Sequence, residues 1–254
     1  MAGPRVGDAF GDMLRAGLEA VSAGRGAPAE IVERDDGLIH AGSADRYFAR
    51  PAAWAPFERR ALDLAAGRVL DVGCGAGRFA LAAAERGLEV TALDISPGAV
   101  AVSRQRGVRD AVLATVDDHA ASGARYDTLL LMGENLGLME NAERAPGFLA
   151  ALAALARPGA RIIGHGANPY RTDDPVHVGY QQHNAERGRM GGQMTIRVRH
   201  RDLATPWFDY LLCAPGELDT LLAPTQWKLA ETTDAGPVNY LAVLTRRPDG
   251  PPAR

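Results

Sequence analysis

Lysine is almost missing from this chain: of 28 basic residues, Lys228 alone is lysine and the other 27 are arginine. Cysteine is scarce as well. Cys74 and Cys213 are the two present, too few and too far apart for a disulfide framework or a structural zinc site. No run of about 18 apolar residues occurs, which excludes a membrane-spanning helix. The first residues are interrupted by Arg5, Asp8, Asp12 and Arg15 and lack the apolar core of a secretion signal. There is no excess of positive charge, since 28 Lys+Arg against 31 Asp+Glu leave a net charge of -3, so a general nucleic-acid binder is not expected. What remains is ordinary globular usage, 46% hydrophobic and 23% charged over 254 residues. The expectation is a soluble, cytoplasmic protein with neither nucleic acid nor membrane as a partner.

The pattern along the chain changes near residue 67. Before it, Phe10, Leu14, Leu18 and Val21 recur at helical spacing, Ile31–Arg34 and Leu38–His40 flank an Asp-Asp-Gly turn as a short hairpin, and 44–66 read as helix interrupted by Pro51 and Pro56. After it, strands alternate with helices. R-V-L-D-V, L-E-V-T-A-L-D-I, A-V-L-A-T-V, Y-D-T-L-L-L-M and A-R-I-I-G-H are five strands, with helices after the first, second and fourth. The fourth is apolar almost throughout, as a strand covered on both faces should be. Residues 166–192 read as a long loop with some helix. Residues 193–201 and 206–212 read as an antiparallel hairpin, and the last two strands are joined by a turn too short for a parallel crossover. The predicted fold is α/β: a Rossmann-like seven-stranded sheet, mostly parallel with an antiparallel last strand, helices on both faces, an N-terminal helical lid and a β-hairpin insertion. The expected organisation is 1–66 lid, 67–165 cofactor-binding core, 166–214 substrate-side insertion, 215–247 end of the core sheet and 248–254 a disordered tail.

The stretch richest in chemistry is V-L-D-V-G-C-G-A-G-R, residues 69–78. Glycines at a strand-to-helix turn let a ligand approach the backbone and leave amides at a helix N-terminus. An acidic residue, Asp94, ends the next strand, where it can meet a ribose. The turn alone leaves a dinucleotide reading open: G-x-G-x-x-G from Gly73 fails at Arg78, but G-x-G-x-x-A from Gly75 holds through Ala80. The D-x-G-x-G-x-G run with Asp71 inside the strand, together with the antiparallel end of the sheet, resembles class I S-adenosylmethionine-dependent methyltransferases. The resemblance covers residues 66–165 by motif and 215–246 by topology. It implies that Asp71 and the backbone of Gly73, Cys74, Gly75 and Gly77 hold the methionine part of S-adenosyl-L-methionine. It also implies that Asp94, followed by Ile95, binds the ribose hydroxyls, that Asp117 or Asp118 faces the adenine amine, and that Met132 borders the cofactor.

The acceptor side is less constrained. G-E-N-L-G-L after the fourth strand, D-D-P-V-H at 173–177 and T-P-W-F-D at 205–209 resemble a group of actinobacterial methyltransferases with G-N-N-L-G-L at the first place. The arginine skew fits a GC-rich genome of that kind. Glu134 replaces an Asn there, as a general base, an orienting group or a loop cap. Asn135 beside it is a candidate for the substrate. Histidine suits proton removal near neutral pH, so His165, His177 and His183 are candidate bases, His165 first. Tyr47, from the lid, and Tyr170 and Tyr180, from the insertion, are candidate substrate contacts. Arg197, Arg199 and Arg201 share one strand face, as a solvated face or as a basic wall for an acidic acceptor. Trp207, Phe208 and Tyr210 opposite them would line an acceptor pocket or a dimer contact. No His/carboxylate spacing supports a metal. The expected activity is methyl transfer to a small molecule, in natural-product biosynthesis. A methyltransferase fold repurposed for intramolecular displacement or cyclisation, and a non-catalytic partner subunit, are the alternatives. A homodimer or hetero-partner remains open.

Overall fold

The computed structural model describes residues 3–247; the tail expected at 248–254 lies outside them. In chain order the elements are β1 (Arg5–Val6), α1 (Ala9–Ser22), β2 (Ala29–Arg34), β3 (Ile39–Ser43), α2 (Pro56–Leu64), β4 (Arg68–Val72), α3 (Arg78–Glu85), β5 (Glu89–Asp94), α4 (Pro97–Gln105) and β6 (Asp110–Leu113). There follow α5 (Val116–Ala120), β7 (Tyr126–Leu131), α6 (Ala145–Leu155), β8 (Ala156–Ala167), α7 (Pro175–Glu186), β9 (Gln193–His200), β10 (Leu203–Ala204), β11 (Phe208–Leu211), α8 (Pro215–Leu222), β12 (Trp227–Asp234) and β13 (Asn239–Arg246). Short 3-10 turns lie at 44–47, 51–53 and 135–139.

Seven strands form the large sheet in the order β12-β13-β8-β7-β4-β5-β6. The five from β8 to β6 run parallel, and β13 is antiparallel to both of its neighbours. Alternate residues of each central strand go to opposite sides. Leu70, Leu129, Leu131 and Ile162 pack with Leu152, Leu218 and the fully buried Trp227. Val69, Leu130 and Ile163 pack with Trp54, Phe79 and Leu241. Both faces are therefore dry, and these strands read as nearly unbroken apolar runs for that reason. No helix among the described residues is long and apolar enough to cross a membrane.

The second sheet was not expected. The hairpin β2–β3 and the insertion hairpin β9–β11 join edge to edge, with Ile31 opposite Arg199 and Arg34 opposite Ile196. The N-terminal segment and the insertion are thus one layer, paired across more than half of the sequence. Helix α1 lies between this layer and α4. Asp8 ties it down by accepting hydrogen bonds from Gly11 N (2.9 Å), Ser96 Oγ (2.7 Å) and Gly98 N (2.8 Å). One carboxylate thereby sits at the amino ends of two helices, where their dipoles favour negative charge. The fully buried Met13 and Leu14 fill the space below, against Phe48, Ala76 and Val102.

Candidate active site

The carboxyl ends of β4, β5, β6, β7 and β8 open on one side of the large sheet, the side on which open α/β sheets hold ligands. At β4 the chain turns through Gly73, whose φ of +67° favours glycine. A Cβ on Gly73 would stand 2.5 Å from Asn135 Nδ2. That amide instead donates to the carbonyls of Val72 (2.8 Å) and Gly73 (3.0 Å), so Asn135, expected to touch substrate, braces the turn. The amides of Gly73 and Cys74 donate to Leu93 O, that of Gly77 to Cys74 O, and that of Gly75 to Asp94 Oδ2 at 2.9 Å. The amides at 73, 74, 75 and 77 are thus spent inside the protein, which leaves this turn poorly equipped to cradle a pyrophosphate. The Cys74 thiol turns inward among Ala80, Ala92 and Val100, where burial holds its pKa well up.

Two buried carboxylates frame the turn. Asp71 accepts one hydrogen bond, from Ala80 N at 3.2 Å, and burial pushes its pKa up to about 7. Asp94 accepts from Gly75 N and Ser96 N, both at 2.9 Å, and burial raises it to about 6. Beside Asp94 the Ile95 side chain is 73% exposed, and Leu113 at the end of β6 is 51% exposed. Two bare apolar side chains next to a carboxylate form a platform for a flat base and a ribose. Asp117 stands exposed just beyond. Asp118 is taken up with Thr115, whose hydroxyl caps α5 and lies 2.8 Å from the Asp118 carboxylate, so among the described residues Asp117 is the member of that pair without a side-chain partner. Acidic and apolar groups with spent turn amides fit an uncharged ribose and adenine, as in S-adenosylmethionine, better than a dinucleotide.

Over this floor sits the lid. The Tyr47 ring lies 3.4 Å from where a Gly75 Cβ would be, with Phe10 packed edge-on against it. Arg106 fastens the Tyr47 segment to the glycine turn by donating to the carbonyls of Tyr47 and Ala76. The Tyr47 hydroxyl donates to Glu30 Oε1 at 2.6 Å, and Arg46 pairs with the other Glu30 oxygen. Glu30 is 5% exposed and was not anticipated; a glutamate in a short strand carries no mark of burial until its partners are known.

Glu134 stands at the end of β7 with φ +67°, a left-handed conformation that costs a side-chain-bearing residue about 1–2 kcal/mol. Its amide donates to His165 Nδ1 at 2.9 Å, and its carbonyl accepts from the Tyr210 hydroxyl at 2.8 Å. Among the described residues, no side chain bonds its half-buried carboxylate. His165 is thus brought beside Glu134 but not as a base. Its Nδ1 lone pair is engaged, its Nε2 is buried, and burial lowers its pKa, keeping the ring neutral.

Other expected contacts are not brought here. His177 lies on α7 against Arg34 (3.3 Å), and His183 on the same helix faces Arg187 and Glu186. Tyr180 donates to Asp35 at 2.7 Å and stacks under Arg34, and Tyr170 donates to Glu217 at 2.6 Å. His177, Tyr180 and Tyr170 fasten the insertion to its surroundings, whereas His183 is an exposed residue that meets only neighbours on its own helix. Arg197 and Arg199 both pair with Glu33, and Trp207 lies over Arg197. Strand alternation puts these on the face opposite Glu30, Ile196 and Tyr210, so the basic wall beside an acceptor is corrected to a neutralised outer face.

Comparison with known proteins fits this geometry. Residues 69–159 match the Methyltransf_25 methyltransferase domain family. A solved S-adenosylmethionine-dependent methyltransferase from Bacteroides fragilis, in complex with S-adenosyl-L-homocysteine, is 27% identical. It covers 94% of this chain and 95% of its own, with a TM-score of 0.79. Residues 69–159 thus match a methyltransferase domain family, and the chain has the fold of class I S-adenosylmethionine-dependent methyltransferases. The chain also resembles ubiquinone biosynthesis O-methyltransferases. That of Xanthomonas oryzae pv. oryzae is 35% identical over 108 residues, 40% of this chain and 44% of the relative. That of Methylocella silvestris is 28% identical over 190 residues, 71% of each. The chain therefore spans less than half the length of the first curated relatives it matches.

Proposed function

We propose that this methyltransferase moves a methyl group from S-adenosylmethionine to a hydroxyl, or secondarily an amino group, of a small molecule in a cytoplasmic natural-product pathway. The observation that carries the reading is the Glu134 carboxylate beyond the carboxyl end of β7, which no side chain among the described residues hydrogen-bonds, on the same side of the sheet as Asp71 and Asp94. Relatives named O-methyltransferases favour oxygen as the acceptor atom. The near-neutral charge and the removal of Arg197 and Arg199 from the site favour a small, uncharged acceptor.

Asp71 and the glycine turn would hold the amino-acid end of the cofactor, Asp94 the ribose, and Ile95, Leu113 and Asp117 the adenine. When bound, S-adenosylmethionine supplies an electrophilic methyl group on a sulfonium. Tyr47 and Phe10 cover the turn and exclude water. Glu134 accepts the proton that the acceptor hydroxyl gives up, and the neutral His165 keeps Glu134 in place. Alignment in a dry site is the chain's main contribution, and the proton acceptor adds to it.

Calorimetry with S-adenosylhomocysteine tests the cofactor half, and no heat at millimolar ligand overturns the proposal. A panel of hydroxyl and amine acceptors then tests the rest by mass spectrometry, with a gain of one CH2 expected. A product formed without that gain would indicate the repurposed enzyme instead. Glu134→Gln should slow turnover roughly a hundredfold while leaving S-adenosylhomocysteine affinity unchanged; equal rates would remove Glu134 from the chemistry.

A further inference from the structure

Tyr210 comes from β11, opposite Met194 of β9, and so belongs to the second sheet rather than to the cofactor-binding core. Its ring has a socket. Gly137, in the turn after Glu134, offers no side chain, and a Cβ there would stand 2.3 Å from Tyr210 Cε1. From that socket the hydroxyl reaches Glu134 O at 2.8 Å. The same carbonyl accepts from Gly137 N at 2.8 Å. On the other side of the residue, the amide is taken by His165 Nδ1. Both peptide planes flanking Glu134 are therefore fixed by groups from two other elements, and they are fixed in a conformation that glutamate rarely adopts. A strained, non-glycine residue persists when its surroundings over-determine it, and such residues cluster where a side chain must be aimed.

We propose that Tyr210 is a positioning residue for methyl transfer: docking of the second sheet delivers its hydroxyl to the Glu134 carbonyl and aims the Glu134 carboxylate at the acceptor. The proposal rests on the reading of Glu134 as proton acceptor given above. Burial, then the nearby Glu134, Tyr47 and Glu30, holds the phenol pKa well above its ordinary value, so Tyr210 stays a donor through the working pH range. The second sheet reaches the site twice. Glu30 of β2 holds Tyr47 of the lid, and Tyr210 of β11 holds Glu134. Because β2 and β11 are both paired to β9, lid position and carboxylate aim are set by one rigid layer.

Tyr210→Phe tests this, because it keeps the ring in its socket and removes only the donor. The expected crystal structure shows Glu134 out of the left-handed region or its carboxylate re-aimed. Expected kinetics, on whichever acceptor the panel identifies, are a kcat lower by roughly ten- to a hundredfold. The KM for S-adenosylmethionine and the S-adenosylhomocysteine affinity should stay within about twofold of wild type. That split between a lowered kcat and an unchanged KM is one that a merely structural role would not produce. Gly137→Ala, which pushes the ring out of its socket, should reproduce the kcat loss even where Tyr210→Phe folds poorly. Wild-type kcat together with an unmoved Glu134 in Tyr210→Phe overturns the proposal. So does a parallel loss of cofactor affinity and melting temperature with no separate effect on kcat. Failure of the wild type to bind S-adenosylhomocysteine would overturn the methyltransferase reading instead, and the Tyr210→Phe crystal structure would still decide whether Tyr210 holds Glu134.

Discussion

Asp71 should make the free protein less stable as pH rises. The side chain is 3% exposed inside β4 and accepts one hydrogen bond, from Ala80 N at 3.2 Å. Burial, partly offset by that bond and by Arg78 and reinforced by Asp94, lifts its pKa from 3.8 to about 7. The folded pKa lies above the unfolded one, so between these values the folded state binds the extra proton. The associated stability is fully present below about pH 4 and is lost as pH rises through about 7. At 1.36 kcal/mol per pH unit, the rise amounts to on the order of 4 kcal/mol between those limits. Asp71→Asn keeps an oxygen for Ala80 N–H and cannot ionise. In urea unfolding, its stability relative to wild type should therefore improve by on the order of 4 kcal/mol from about pH 4 to about pH 8. Saturating S-adenosylhomocysteine should flatten the wild-type dependence, because the proposed contact between its ammonium and Asp71 favours the carboxylate. The variant should gain stability at high pH and lose cofactor affinity there, the exchange expected of a strained functional residue. A stability gap that does not change with pH would refute the reasoning.

Gly98→Ala would place a Cβ 2.5 Å from the Gly11 Cα at the crossing of α1 and α4, and backbone cannot yield as a side chain can; a loss of about 1–3 kcal/mol in chemical denaturation is expected, and no loss would mean the helices do not meet there. Arg197→Ala should leave the acceptor KM within about twofold, because its pairing with Glu33 lies on the face away from Glu134, and should lower stability, because both side chains are largely covered and Arg197 also packs on Trp207; a large rise in KM would restore the basic wall.

The core of the fold was legible because it obeys local rules. β4, β5, β7 and β8 are covered on both faces, so their apolar runs announce themselves, and the glycine turn after β4 carries its own conformational demand. Helix α5 was missed although its signal is in the sequence: Thr115 followed three residues later by Asp118 is a capping pair. The strand expected over 111–116 ends at Leu113 because that cap begins the helix.

The placement of a site side chain was legible only where it follows from its own strand. Asp71 and Asp94 sit where strand ends put them. The roles of His165, Arg197 and Tyr210 depend on which distant group each one meets. His165 reads as a base in isolation, and the Glu134 amide on its Nδ1 makes it an anchor. Arg197 reads as a wall, and Glu33, 164 residues away, makes it an outer ion pair. Trp207, Phe208 and Tyr210 read as one aromatic group, but pairing with β9 gives them different neighbours, and Tyr210 alone of the three bonds Glu134. Each of these outcomes turns on the pairing of β2 with β9, a contact between segments more than 160 residues apart that no local period encodes. Glu30 and Tyr210 share a face only through that register: a shift of β9 by one residue against β2 would put them on opposite faces. Either Glu30 would leave Tyr47 or Tyr210 would leave Glu134, while the glycine turn and its two carboxylates stayed as they are.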